Sequence, residues 1–316
     1  MQTEPAAFDS PIRPAHDGAR RFMRVNPLAN ALFSILFILL AVITVAPLVF
    51  VIIISFSSEA SINQIGYSFV PLSWGVSAYK YLWAMNAQVV RAFLNSLGVT
   101  LAGTALGLIL TSTMGYVLSR RNYFARGFFT VYIFIPMLFS GGLVSTYVVN
   151  TQLFGLMNSY FALILPLACS TFYTIILRTF FQTSVPDSII ESGKIDGASQ
   201  FSIYLRLVLP ISLPGIATIG LFLTFAYWND WYQALLYIRS THPQLYTLQF
   251  MLVMIERGID FLTKAAAYMS ADSSKDLPSE TMRMAIVVVA VLPIACSYPF
   301  FQKYFISGLT IGAVKG

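Results

Sequence analysis

Hydrophobic residues run through this chain in blocks too long for the core of a soluble domain. Charge-free runs extend from Leu28 to Phe56, Phe93 to Leu118, Gly127 to Leu177, Ile211 to Asn229 and Met284 to Gln302. A helix rises about 1.5 Å per residue and a bilayer core is about 30 Å thick, so about 20 apolar residues cross it once. The third run is long enough to cross twice and must reverse where water or protein can satisfy its backbone. The polar and small residues Asn150, Thr151, Gln152, Gly155 and Asn158 supply that place. The pattern therefore predicts an all-α integral membrane protein with six transmembrane helices.

Composition agrees. Of 316 residues 57% are hydrophobic and 10% charged, against about 25% charged in soluble domains, which excludes a water-facing surface. The net charge of +6 comes without a basic run or basic residues interleaved with aromatics, so nucleic acid is excluded as a partner. Orientation explains it, because Lys and Arg are retained in the cytoplasm. With the N-terminus inside, twelve basic residues fall on inner segments: Arg13, Arg20, Arg21, Arg24, Arg120, Arg121, Arg126, Arg178, Lys194, Arg206, Lys303 and Lys315. Five fall outside, namely Lys80, Arg239, Arg257, Lys264 and Lys275, while Arg91 and Arg283 sit at boundaries. Both termini are expected in the cytoplasm. The chain divides into a disordered N-terminal tail (1–27), a six-helix domain (28–306) with loops at about 183–210 inside and 239–281 outside, and a C-terminal tail (307–316). A cleaved signal peptide is disfavoured, since the first apolar run is about twice the length of a signal core and no small-residue cleavage site ends it.

Several functions lose support. The spans carry no charges for ion coupling, which argues against a secondary transporter or channel. No paired broken helices mark an inverted repeat. His16 and His242 stand alone, so no acid, base and nucleophile converge as an enzyme would need. Cys169 and Cys296 lie in apolar stretches without metal-ligand neighbours, and are expected to be buried thiols outside any metal site. Pro47, Pro136, Pro166, Pro214, Pro293 and Pro299, with Gly98, Gly103, Gly107 and Gly115, read as helix packing or as hinges.

The chemistry concentrates in the loop between the fourth and fifth spans. Pro186 and Asp187 open a first short helix, Gly197 breaks it, and Asp196 or Ser199 can cap a second that ends at Pro210. Ile189, Ile190 and Ile195 on the first, and Phe201, Tyr204 and Leu205 on the second, are too apolar to face water; each gains about 1.5–3 kcal/mol on full burial. Their partner surface is either the chain's own bundle or another subunit.

Glu191-Ser192-Gly193, then Asp196-Gly197-Ala198, then Leu209-Pro210 and Pro214 resemble the EAA loop of binding-protein-dependent importer permeases, with Ser192 and Gly193 replacing two alanines. The first outer loop with Phe69, Pro71, Leu72, Ser77, Tyr79 and Tyr81, the run Trp228-Asn229-Asp230, and the tail from Gln302 to Gly316 resemble the maltose-type carbohydrate permease subunit. The branch most similar serves complex oligosaccharides and polysaccharide fragments. The resemblance covers about residues 25–316 and implies the type I ABC importer permease fold.

That family implies a heterodimer with a second permease, two ATPase subunits, an extracytoplasmic solute-binding protein and an oligosaccharide substrate. ATP and magnesium would be held by the ATPases; this chain would bind no cofactor and catalyse nothing. No G-x-x-x-x-G-K-[ST] phosphate loop is present, and Gly193-Lys194 is followed by Ile195. Carried over, Ile190, Glu191, Gly193, Ile195, Asp196, Gly197, Ala198, Phe201 and Pro210 are the ATPase-coupling residues, and Gly308 to Gly316 would reach between the ATPases. For the sugar path, Tyr227, Trp228, Asn229, Asp230, Trp231 and Tyr232 at the outer end of the fifth span are candidates. Aromatic faces stack on sugar rings, although an interfacial aromatic belt has the same composition. A non-sugar substrate remains the alternative within importers.

Overall fold

The computed structural model describes residues 27–84, 86–269 and 279–313. The expected N-terminal tail, except Pro27, and the last three residues fall outside them. Among the described residues no strand forms; a single isolated bridge joins Ser57 to Trp74.

The helices are α1 (Pro27–Ser55), α2 (Glu59–Ile65), α3 (Ser77–Ala84), α4 (Asn86–Ser119), α5 (Arg126–Leu138), α6 (Gly142–Val148, extended by a π-turn to Leu153), α7 (Tyr160–Ala168), α8 (Thr171–Ser184), α9 (Asp187–Ile195), α10 (Gln200–Ile203), α11 (Leu209–Ile211), α12 (Leu213–Trp228), α13 (Tyr232–Tyr237), α14 (Leu248–Met269) and α15 (Ser279–Ala313). Helices α1, α4 and α15 each contain an apolar stretch long enough to cross a bilayer unbroken. The other crossings are bent pairs: α5 with α6 at 114°, α7 with α8 at 48°, and the α10–α11 segment with α12 at 83°. Counted as one span each, they complete the six.

The bends were not expected, and proline stands beside each. Pro136 and Pro166 lie inside the last turn of α5 and α7, where the missing N–H and the ring's clash with the preceding turn end the helix. Pro210 and Pro214 flank the bend at Ser212. The anticipated reversal of the long third run falls at 154–159, where Gly155 has φ 61° and Asn158 φ 55°. The last helix continues to Ala313, so most of the expected C-terminal tail is helical.

Helix α4 is the axis of the bundle and packs against α7, α8, α12 and α14. Small residues permit this approach. A Cβ on Gly103 would lie 2.4 Å from the Tyr227 ring, and one on Gly107 would lie 3.0 Å from Leu223 and 3.3 Å from the Ala168 carbonyl. Around this axis Leu163, Leu177, Phe181, Ile219 and Leu223 form the main core. A second core gathers Trp228, Leu248, Leu252, Ile259, Met282 and Ile286 toward the other end. Outward, α1 exposes Leu32, Phe37, Ile38 and Leu39, as a lipid-facing helix does.

Both cysteines are exposed and free, contrary to the buried thiols expected. In a membrane protein the outside of a helix is as apolar as its inside, so an apolar neighbourhood does not imply burial. Along the spans, hydroxyls turn back on their own helix: Ser34, Thr44, Thr111, Thr174, Thr218 and Thr224 each donate to the carbonyl four residues earlier.

Candidate functional site

Two sites stand at opposite ends of α4. The first is the loop after α8. Gly197 has φ +78° with no atom within 4 Å of a built Cβ, so glycine is required there by backbone conformation alone. Ser199, as anticipated, caps the next helix by accepting from the Ser202 N–H at 3.3 Å. That helix does not stop at Pro210; a π-turn over Tyr204–Val208 carries it on to Ile211.

The expected coupling residues divide into two groups. Ile190 is 4% exposed and Gly193 is buried, with a Cβ at Gly193 lying 3.1 Å from Leu207 and 3.2 Å from Ile203. Both are turned toward the chain itself, and Gly193 faces the following helix. Tyr204 is also turned inward, sharing a 2.7 Å hydrogen bond with Ser112 and lying 5.1 Å from the Tyr116 ring. By contrast Ile195 is 86% and Phe201 67% exposed, and Glu191, Asp196, Gly197 and Pro210 are also at the surface, with Ala198 half-buried. One face of the loop therefore packs on the chain's own bundle, and the other is exposed.

The loop is tied to the end of α4. Arg120 reaches Asp187 at 3.4 Å, donates to Ser119 at 2.9 Å, and lies 5.3 Å over the Tyr116 ring. A cavity of about 440 Å³ opens between them, lined by Tyr116, Arg120, Arg121, Asp187, Glu191 and Lys194 among others.

Toward the other end of α4 the aromatic candidates differ in exposure. Tyr227 is 2% exposed and donates to the Ile164 carbonyl at 2.7 Å. Trp228 is 5% exposed, donates to the Ala290 carbonyl at 3.2 Å and meets Phe93 edge-on. Neither is free to stack on a sugar. Asn229 is exposed but its amide turns back to the Phe225 carbonyl. Asp230, beyond the end of α12, accepts from the Gln233 N–H at 3.3 Å and so caps α13; burial pushes its carboxyl up to about 6. Trp231 and Tyr232 remain partly open, with Arg257 lying 5.8 Å over the Trp231 ring.

The outer loop expected at 239–281 folds into α14 for most of its length. Between α14 and the start of α4 lies a cavity of about 490 Å³, lined by Tyr81, Gln88, Arg91, Gln244, Tyr246 and Met254 among others. Among the described residues Arg91 is the single charged one in that lining. Asn95 supports the wall: its amide donates to the Gln244 and Tyr246 carbonyls at 2.8 and 3.0 Å, and its oxygen accepts from Tyr160 at 2.9 Å. Ser96 caps the start of α14 through the Leu248 N–H at 2.7 Å. Sequence reasoning had set Arg91 aside as a boundary charge. The helical spacing of Leu248, Met251, Leu252, Ile255 and Ile259 was the signal that α14 would fold back over α4.

Residues 103–311, from the middle of α4 nearly to the end of α15, match the family of binding-protein-dependent transport system inner membrane components. The chain belongs to that family. Among relatives of this inner membrane component, the polygalacturonan/rhamnogalacturonan transport system permease protein YtcP of Bacillus subtilis is 37% identical over 92% of this chain and all of its own length. Protein LplC of the same organism is also 37% identical, over 92% of this chain and 97% of its own. The arabinooligosaccharides transport system permease protein AraQ of Halalkalibacterium halodurans is 27% identical over 93% and 99%. A solved bacterial ABC transporter involved in the import of the acidic polysaccharide alginate shares the fold at TM-score 0.71 and 24% identity, covering 95% of this chain and 100% of that one. The matched segment contains both the α9–α10 loop and α14.

Proposed function

We propose that this inner membrane component is the permease subunit of an ATP-driven importer for acidic oligosaccharides. The α9–α10 loop couples it to an ATPase, a second permease completes the pathway, and a solute-binding protein delivers substrate at the α14 end. The loop faces the cytoplasm, as do both termini, in keeping with twelve inner against five outer basic residues. The observation that carries the coupling role is the outward face of the loop. Ile195 at 86% and Phe201 at 67% exposure flank Glu191 beyond the end of the bundle, where an apolar surface is stable only when covered by protein. This chain binds no nucleotide and performs no catalysis.

The acidic substrate rests on the outer cavity. Among the described residues Arg91 is the charge in its lining and no carboxylate joins it, while Tyr81, Gln88 and Tyr246 supply rings and an amide. A guanidinium matches a sugar carboxylate by paired hydrogen bonds, and the names of two similar proteins refer to acidic polysaccharides. The test is ATP hydrolysis by the assembled importer in proteoliposomes with its solute-binding protein. Galacturonate oligomers should stimulate turnover and neutral glucose oligomers should not; Arg91→Gln should lower the apparent affinity for the former about tenfold. Equal stimulation by both sugars would overturn the acidic assignment, and turnover by this chain alone would overturn the division of labour.

A further inference from the structure

Two arginines meet where α5 and α8 cross. Thr171 at the start of α8 donates to the Ile133 carbonyl of α5 at 2.9 Å, which fixes the register of two helices running in opposite directions. Arg126 lies about two turns before Ile133, and Arg178 about two turns after Thr171. Two turns return a residue to the same face, so the arginines come level on the facing sides of the two helices. The charge of Arg126 accordingly acts on Arg178, and no acid of the described residues does.

Like charges brought together this way repel unless an anion sits between them. None comes from the described residues: neither guanidinium has a hydrogen bond or an ion pair there, and Asp187, the next acid along the chain, is engaged by Arg120. The Arg178 Nε is buried without a hydrogen-bond partner, and so is the Thr130 hydroxyl, one turn along α5 from Arg126. Helix α5 itself opens with no side-chain cap and no acidic residue in its first turn. Two cations and a hydroxyl therefore converge at a helix start without a side-chain cap, with no acid or acceptor among the described residues to satisfy them.

The surroundings indicate depth. Rings cluster around Arg126: Tyr123 with Phe124 at 5.5 Å, Phe128 with Phe129 at 5.4 Å and Phe128 with Tyr132 at 6.3 Å. Phe124 is 96%, Phe128 69% and Tyr132 61% exposed. Exposed aromatic residues at a span end belong to the headgroup layer of a bilayer, where the anion at hand is a lipid phosphate. We propose that Arg126 and Arg178 clamp the phosphate of an anionic phospholipid in the leaflet on the side of the α9–α10 loop, with Thr130 as a further donor.

Native mass spectrometry of the full chain in micelles doped with phosphatidylglycerol or phosphatidylcholine tests this. The parent should retain phosphatidylglycerol about tenfold more than phosphatidylcholine. The double variant Arg126→Gln/Arg178→Gln should retain both equally, while Arg239→Gln at the opposite end should behave as the parent. Arg178→Lys, which keeps the charge, should keep part of the preference. If the double variant does not fold, the Arg126→Gln single variant decides, with an expected loss of at least threefold. No preference in the parent, or an undiminished one in the variants, overturns the proposal. So does displacement of the lipid by millimolar inorganic phosphate, or disappearance of the preference once partner subunits are bound, which would give the arginines to a protein carboxylate.

Discussion

Replacing Gly103 by alanine adds one methyl group at the tightest approach in the bundle. Its Cβ would stand 2.4, 2.5 and 2.6 Å from three atoms of the Tyr227 ring, about an ångström inside van der Waals contact. The ring cannot swing aside cheaply, because it is 2% exposed and its hydroxyl is held by the Ile164 carbonyl. Overpacking a filled core costs about 1–3 kcal/mol, and the hydrogen bond lost if the ring moves adds about 1 kcal/mol. Gly103→Ala should therefore destabilise by about 2–4 kcal/mol, lowering the thermal midpoint in detergent by roughly 3–6 °C. Tyr227→Leu removes the ring and leaves room for the methyl. In that background the same glycine change should cost less than about 1 kcal/mol, a coupling well above the additivity expected of independent sites. The four-member cycle, followed by tryptophan fluorescence on heating, is the assay. Additive midpoints would refute the claim that α4 and α12 meet through this pair.

At Gly197, φ +78° with open space around it predicts that alanine costs about 1–2 kcal/mol through backbone strain alone, whereas asparagine costs less; ATPase stimulation by the assembled importer should follow the same order, and equal behaviour would count against the turn. Asn95→Asp keeps the acceptor for Tyr160 but turns a carboxylate on two carbonyls, so it should disturb the Gln244–Tyr246 turn more than Asn95→Ala, as read by hydrogen exchange there. Burial raises the Asp230 carboxyl from 3.8 to about 6, so the folded chain keeps a proton that the unfolded chain has released. Stability should fall by at most about 3 kcal/mol as pH rises through that window and then level off; Asp230→Asn, which keeps a capping oxygen, should abolish the slope in a pH series of unfolding midpoints. After replacement of the exposed Cys169 and Cys296, single cysteines at Ser199 and Thr241 should label from opposite sides of the membrane; labelling from one side would reject the six-span reading.

The spans were legible because about 20 apolar residues admit few arrangements in lipid, and the Gly197 turn was legible because glycine marks a backbone state other residues avoid. The direction in which Tyr227 and Trp228 point was not. Both an open pathway and a packed core accept aromatics at a span end, and the deciding partner of Tyr227 is Gly103, far back in the chain. The bends at Leu138 and Ala168 escaped for a related reason. Proline inside a membrane helix is tolerated when neighbours satisfy the freed carbonyls, so Pro47 within α1 and Pro136 at the end of α5 look alike until the surrounding helices are known. Arg178 was counted for orientation and Arg91 was left at a boundary, and neither treatment reveals what surrounds a cation in the fold.

The hydroxyls that donate to their own helix four residues back have a consequence for biogenesis. Ser34, Thr44, Thr111, Thr174, Thr218 and Thr224 reach hydrocarbon with their protons already engaged. Each segment can thus leave the insertion machinery singly, without waiting for a neighbour to shield its polar groups. Tyr227 and Tyr204 differ, because their hydroxyls find hydrogen-bond partners on α7 and α4 respectively. Those two bonds close only when the fifth crossing arrives against helices made earlier, which makes them a natural checkpoint between insertion and assembly.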